Sequence, residues 1–273
     1  MITLRLKVQP SIPVEAESIN PENFAGKTLD EILEIPVFCG KHEEKVGDYF
    51  EVKIGRAKKG ELHKVVLQGK LERFKRLGQG MSAGEMEVRS SVGFHAGAFM
   101  KGGKLTIKGD AGDWLGSHME GGLILVEGSV GNYVASARRG LDHGMTGGTI
   151  LVKGNAGQML GSRMRRGLIA IEGDCGDMLG FKMAAGTILV KGKADLRTGA
   201  NMKRGTIIVF QKPALLPTFY YNCEYKPVFW RLLCKQLREL GFDLDEAHED
   251  AVFARYTGDI NTGGKGEILT CLA

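Results

Sequence analysis

Few residues in this sequence stand at spacings that could support chemistry. The five cysteines, Cys39, Cys175, Cys223, Cys234 and Cys271, include no C-x-x-C pair, which argues against zinc or an iron–sulfur cluster. His95 and His118 are not spaced as a metal-binding pair and read as surface or core histidines without a role. Gly-Asp-x-Gly-Asp occurs at 109–113 and again at 173–177, placing Asp110 with Asp113 and Asp174 with Asp177. Acid–base work needs two carboxyl groups in unlike environments, and recurrence at equivalent corners points instead to turn chemistry. No serine sits in a nucleophile elbow, and Gly78-x-Gly80 is not part of a phosphate-loop motif. Cys175 falls in a file of small apolar residues and reads as an inert packed thiol. No catalytic residue and no metal ligand is assigned, and no cofactor-binding residue can be named.

What organises the chain is repetition. Glycines at 84, 103, 122, 148, 167, 186 and 205 are separated by 19 residues, except for a gap of 26 between Gly122 and Gly148. Apolar residues stand two and four places after each glycine, as in Ile150 and Val152 after Gly148. That alternation is a strand with one buried face. Met81, Met100, Met119, Met145, Met164, Met183 and Met202 each precede a repeat glycine by three. Further files run through Val92, Ala111, Val130, Ala156, Cys175 and Ala194, and through Ala96, Leu115, Val134, Leu160, Leu179 and Thr198. A 19-residue unit is too short for a helical repeat of 33 or more residues and fits one coil of a parallel β-helix. Coils would stack at about 4.8 Å, giving a rod roughly 30 Å long. Burying seven methionines at about 1.5–3 kcal/mol each is worth on the order of 10 kcal/mol.

The remainder frames this rod. The expected fold is an all-β, parallel β-helix over 63–210, with an N-terminal capping segment at 1–62 and a C-terminal extension at 211–273. Residues 2–8 alternate as a half-buried strand. A short helix is expected from Asn23 to Leu33, with Thr28 and Glu31 as a capping box. Residues 63–83 read as a first coil about two residues longer than the rest. An amphipathic helix at 226–240 places Phe229, Leu232, Leu233, Leu237 and Leu240 on one face and is expected to cap the far end or dock another subunit. Forty glycines belong to the coil corners rather than to disorder. A net charge of +5 and few aromatic residues give no reason to expect nucleic acid. No apolar run approaches 18 residues, so no membrane is expected. An odd number of cysteines without a secretory signal suggests reduced thiols and a cytoplasmic protein.

One interruption breaks the period. Residues 136–144, Ser-Ala-Arg-Arg-Gly-Leu-Asp-His-Gly, fill a space that other coils cross in two residues. Insertions in solenoids leave the stack as loops on one face, often the binding face. Arg138, Arg139, Asp142 and His143 are therefore the candidate partner-contact residues. Arg163, Arg165, Arg166 and Arg204 read first as a solvated basic face; the alternative is that they favour a ligand with an acidic arm.

Gly-Asp-Ala-Gly-Asp-Trp-Leu-Gly at 109–116, its echoes at 154–161 and 173–180, and the run Arg139-Gly140 to Gly148 resemble a known family. They are similar to the C subunit of formylmethanofuran dehydrogenase and of the related bacterial formyltransferase/hydrolase complex. The leader around Gly47–Val52 and the tail around Tyr256–Asp259 fit the same family. The resemblance implies a right-handed β-helix that holds catalytic subunits together, without catalytic activity of its own. It implies a complex acting on a formyl group carried by methanofuran or a methylofuran-type carrier. In the archaeal form a metal pterin and iron–sulfur clusters would sit on other subunits, and no cofactor is expected on this chain. The coils alone also resemble the C-terminal domain of the glutamate synthase large subunit. A stand-alone module pairing with an amidotransferase is the alternative reading.

Overall fold

The computed structural model describes residues 1–55 and 63–272. The expected boundary between leader and repeats, at residue 62, lies outside the described residues. The chain is mostly β. Its leader holds β1 (Ile2–Leu6), β2 (Val14–Glu15), helices α1 (Pro21–Phe24) and α2 (Leu29–Leu33), β3 (Pro36–Cys39), β4 (His42–Lys45), α3 (Val46–Tyr49) and β5 (Phe50–Ile54). The expected helix over 23–33 is thus two short helices, separated at Gly26, whose φ of +74° breaks the turn. The Thr28–Glu31 capping box is present on the second.

The repeats supply β6 (Lys64–Gln68), β7 (Phe74–Lys75), β8 (Glu85–Val88), β9 (Lys104–Ile107), β10 (Leu123–Val126), β11 (Thr149–Val152), β12 (Leu168–Ile171), β13 (Thr187–Val190) and β14 (Thr206–Val209). All of these except β7 join a 13-stranded sheet and pair in parallel. The register follows the sequence period: Leu105 lies beside Ile124, and Ile124 beside Ile150, across the longer gap. A second ladder of single bridges joins Leu71, Val92, Ala111, Val130, Ala156, Cys175 and Ala194 in order. The small-residue file is therefore a line of contact between successive repeats.

The methionine file is fully buried from Met81 to Met202. It also explains the repeat glycines. A Cβ on Gly167 would lie 2.7 Å from Met145 Cε and 2.8 Å from the Gly148 carbonyl oxygen, at a φ of +103°. The same conflict recurs at Gly148 with Met119 and at Gly205 with Met183. Except at Met100, each methionine tip occupies space that a side chain on the following repeat would need; at Gly122 backbone atoms of Gly102 and Gly103 fill it instead.

After the repeats come β15 (Tyr221–Tyr225), α4 (Val228–Glu239), β16 (Val252–Thr257) and β17 (Glu267–Leu272). The parallel ladder ends in antiparallel strands on both sides. β1 lies parallel to β6 and is followed by antiparallel β5, while β17 lies parallel to β14 and is followed by antiparallel β16 and β15. The far end is thus covered by strands, and α4 lies elsewhere. It packs on the outer face of the sheet, where Trp230, Cys234 and Leu237 join Leu151, Ala170, Leu189, Ile208 and Leu269 in a second apolar core. Strands β8 to β10 alternate buried and half-buried residues, whereas β11 to β14 are buried at nearly every position, because both of their faces are covered. The buried face of α4 is rotated from the expected one. Phe229 and Leu232 are 40% and 72% exposed, and the inward stripe is the i, i+4, i+7 set at 230, 234 and 237. Trp230 sets that orientation: its indole N–H donates to the His248 carbonyl oxygen at 2.5 Å and its ring meets Phe253 edge-on.

Candidate functional site

The 136–144 insertion is spliced into a hydrogen bond that the other repeats also make. Met100, Met119 and Met164 each donate their backbone N–H to the glycine three residues earlier. Met145 donates to Ala135 at 2.8 Å, ten residues back, so seven extra residues leave and return through one closed gate. Ser136 fastens the exit: it is buried, donates to the Met159 carbonyl at 2.5 Å and accepts from the Ser162 N–H at 3.2 Å.

Arg138 then turns back onto the repeats. Its backbone N–H donates to His118 Nε2 at 2.9 Å, its Nη2 lies 3.2 Å from His95 Nδ1, and its guanidinium sits 4.9 Å from the Phe99 ring centre. Phe99 is itself stacked on His118 at 4.9 Å. Both histidines must be neutral to accept these bonds. Burial, and then the Arg138 charge, lower the pKa of both; His95 falls to about 4. Arg76 and Lys75 add to the effect on His95 and Asp113 opposes it, while a hydrogen bond to the His143 backbone opposes the shift of His118. The two histidines lie on different files, and instead of standing without a role both anchor the loop. Of the four expected contact residues, Arg138 is half-buried within the chain itself, whereas Arg139, Asp142 and His143 are exposed together with Leu141.

Clefts flank the loop. One of about 650 Å³ is lined by Trp114, Tyr133, Met159, Phe181, Arg139 and Arg163, among others. Another, of about 440 Å³, lies beyond Asp142 and His143 against Arg163, Lys182 and Lys203. A third, also about 440 Å³, runs from Leu141 to Phe99 and His118. Trp114 and Tyr133 stack at 4.5 Å with rings nearly parallel, and His95 continues the file at 6.1 Å from Trp114. Composition alone does not reveal this aromatic file. Its signal lies in the spacing, because 95, 114 and 133 differ by 19 each and so share one phase of the repeat.

Asp110 Oδ1 accepts the Ser129 N–H at 2.7 Å and Asp174 Oδ1 the Lys193 N–H at 2.7 Å, so the recurrent acids tie each corner to the next repeat. Cys175 is buried and its thiol is pushed up to about 12 by that burial, with Asp195 adding to it. Among the described residues no group of three His, Cys, Asp or Glu could hold a metal ion, and no helix is long and apolar enough to cross a membrane.

Comparison with known proteins fits this construction. The family model for the GXGXG motif matches residues 66–236, more than half of the chain. A solved structure of the formyltransferase/hydrolase complex (FhcABCD) from Methylorubrum extorquens in complex with methylofuran contains a chain that superimposes with a TM-score of 0.90. That match is 34% identical and covers 99% of this chain and 100% of the other. The chain belongs to the GXGXG motif family, among the C subunits of formylmethanofuran dehydrogenase and formyltransferase/hydrolase complexes. Within this family, the C subunit of the tungsten-containing formylmethanofuran dehydrogenase 2 of Methanothermobacter wolfeii is 45% identical over 97 residues, 36% of each chain. The C subunit of the molybdenum-containing formylmethanofuran dehydrogenase 1 of Methanosarcina barkeri is 40% identical over 84 residues, 31% of this chain and 28% of that one. The chain therefore spans about a third of the length of the curated relatives it matches.

Proposed function

We propose that this chain is a non-catalytic scaffold subunit, built as a right-handed parallel β-helix over 63–210, with a leader at 1–62 capping one end and an extension at 211–273 covering the other end and the outer sheet. It holds the catalytic subunits of a formylmethanofuran dehydrogenase-type or formyltransferase/hydrolase complex in cytoplasmic one-carbon metabolism. The formyl group travels on a methanofuran- or methylofuran-type carrier handled by those other subunits. Any metal pterin or iron–sulfur cluster sits on them as well.

The observation that carries this reading is the 136–144 loop. It is the sole departure from a constant period between Gly84 and Gly205; it is anchored inward by Arg138, and it presents Arg139, Leu141, Asp142 and His143 between clefts. The match along nearly the whole length to a chain of a multi-subunit complex supports a hetero-oligomer. Co-expression with the other subunits tests the reading. Substituting Arg139, Asp142 and His143 together by Ala should reduce co-purification at least tenfold while the chain stays folded, and the purified chain alone should not turn over a formyl substrate. Unchanged assembly by the triple variant would refute the docking assignment; turnover by the chain alone would refute the scaffold reading.

A further inference from the structure

The larger cleft beside the loop has a composition that specifies more than contact. Trp114, Tyr133, Met159 and Phe181 form its apolar wall, and Arg138, Arg139 and Arg163 border it; no carboxylate lines it. Beyond Arg163 the edge continues through Lys182 and Lys203, with Asp142 the one carboxylate in that adjoining lining. Among the described residues, no carboxylate lies within 4.0 Å of Arg139, Arg163, Arg165, Lys182 or Lys203. Some cations elsewhere are paired, as Lys108 is with Glu127 and Arg197 with Asp177; what sets this cleft apart is that its cations gather beside aromatic rings.

The backbone supplies a second observation. Trp114 and Tyr133 have φ of +66° and +62°, a left-handed region that bulky side chains rarely enter. Later repeats place Met159, Met178 and Arg197 at this phase. The corner recurs in each repeat, with φ near +60° at His95, Met159, Met178 and Arg197 as well; these two repeats fill it with half-exposed aromatic rings, next to Arg139 and to Arg163, whose Nη1 donates to the Leu141 carbonyl oxygen at 3.3 Å. Exposed Trp, Tyr and Arg around a groove are the residues that dominate protein–protein binding energy.

We infer that this groove takes an acidic, extended polypeptide segment of a partner subunit, bearing an aromatic side chain that packs against Trp114 and Tyr133 while its carboxylates meet Arg139 and Arg163. The inference rests on the docking role proposed for the loop and names the chemistry of what docks there. Geometry sets the length. From the repeat of Trp114 to that of Phe181 is three steps of about 4.8 Å, or roughly 14 Å, which an extended chain covers in about four residues at ~3.3 Å each. A single-stranded nucleic acid also stacks on aromatics beside cations. Here, however, Trp114 and Tyr133 cover one another at 4.5 Å, leaving no separate platform for successive bases.

The test uses the full chain and fluorescence anisotropy with three labelled probes: an octapeptide alternating Glu and Tyr, the same peptide with Lys for Glu, and an eight-nucleotide thymidine strand. The acidic peptide should bind at least tenfold more tightly than either of the others, and less tightly as salt is raised. Arg139→Ala with Arg163→Ala should weaken it at least tenfold and flatten the salt dependence. Trp114→Ala should weaken it severalfold, with circular dichroism establishing that the variant is folded; Arg139→Glu, at an exposed position, reports without risk to folding. Lys193→Ala, on another corner, should change nothing. Equal binding of all probes, preference for the nucleotide strand, or unaltered peptide binding by the arginine variants overturns the inference. If these variants abolish co-purification but bind the peptide normally, the inference falls and docking stands. If they lose the peptide and assemble normally, docking falls instead.

Discussion

The coupling between the methionine file and the repeat glycines can be measured as a double-mutant cycle at Met145 and Gly167. Met145 is fully buried, so Met145→Ala should cost about 2–5 kcal/mol for lost transfer energy and residual cavity. Gly167→Ala must hold a φ of +103° and bring a Cβ to 2.7 Å from Met145 Cε and 2.8 Å from the Gly148 carbonyl oxygen. The backbone cost alone is about 1–3 kcal/mol. With Met145 truncated the Cε contact disappears, while the contact with the carbonyl oxygen remains. The double variant should therefore be more stable than the sum of single losses by about 1 kcal/mol, within the range seen for touching residues. Guanidinium unfolding followed by far-UV circular dichroism reads the cycle, with a constant slope required because stacked repeats can unfold in parts. If Met145→Ala costs under about 0.5 kcal/mol, or if the two losses add to within about 0.3 kcal/mol, the interlock is wrong.

Other consequences follow from the same contacts. The His95 pKa lies near 4, below the ordinary histidine value, and that of His118 is also lowered, so the unfolded chain binds more protons in acid. Their contribution should be complete above about pH 6.5 and be lost as pH falls toward 4; thermal melting at pH 7 and pH 5 should show a larger drop for wild type than for His95→Gln, and an equal drop would refute the anchor. The Cys175 thiol, buried and raised to about 12, should resist alkylation in the native protein at pH 8 and react only on unfolding; prompt labelling would contradict its packing. Trp230→Ala should cost about 3–5 kcal/mol and expose the outer sheet to a hydrophobic dye, and a change below about 1 kcal/mol would mean that α4 is not held by that ring.

The 19-residue period makes the parallel ladder legible in the sequence, because stacked strands demand like residues at like positions. The buried methionines and the corner role of Asp110 and Asp174 were readable for the same reason. The orientation of α4 was not. Counting leucines put Phe229 and Leu232 inside, whereas the bulk and N–H of Trp230 fix the helix about one residue's rotation away. The location of α4 was also hidden, since whether a helix caps an end or covers a face depends on which outer strand positions are apolar in β11 to β14. At the candidate site, the insertion was visible from spacing. Its internal division was not: Arg138 is consumed by His95, His118 and Phe99, contacts that join residues up to 43 apart. Nothing in the local sequence distinguishes it from its neighbour Arg139.

The docking claim is tested most directly by amide hydrogen exchange of this chain, free and within the assembled complex. Protection gained on assembly should concentrate at 137–144 and at the corners carrying Trp114, Tyr133 and Arg163, with the outer face of α4 unchanged. If the loop exchanges equally in both states while protection appears over α4 and β15, the partner sits on the opposite face and the account is contradicted.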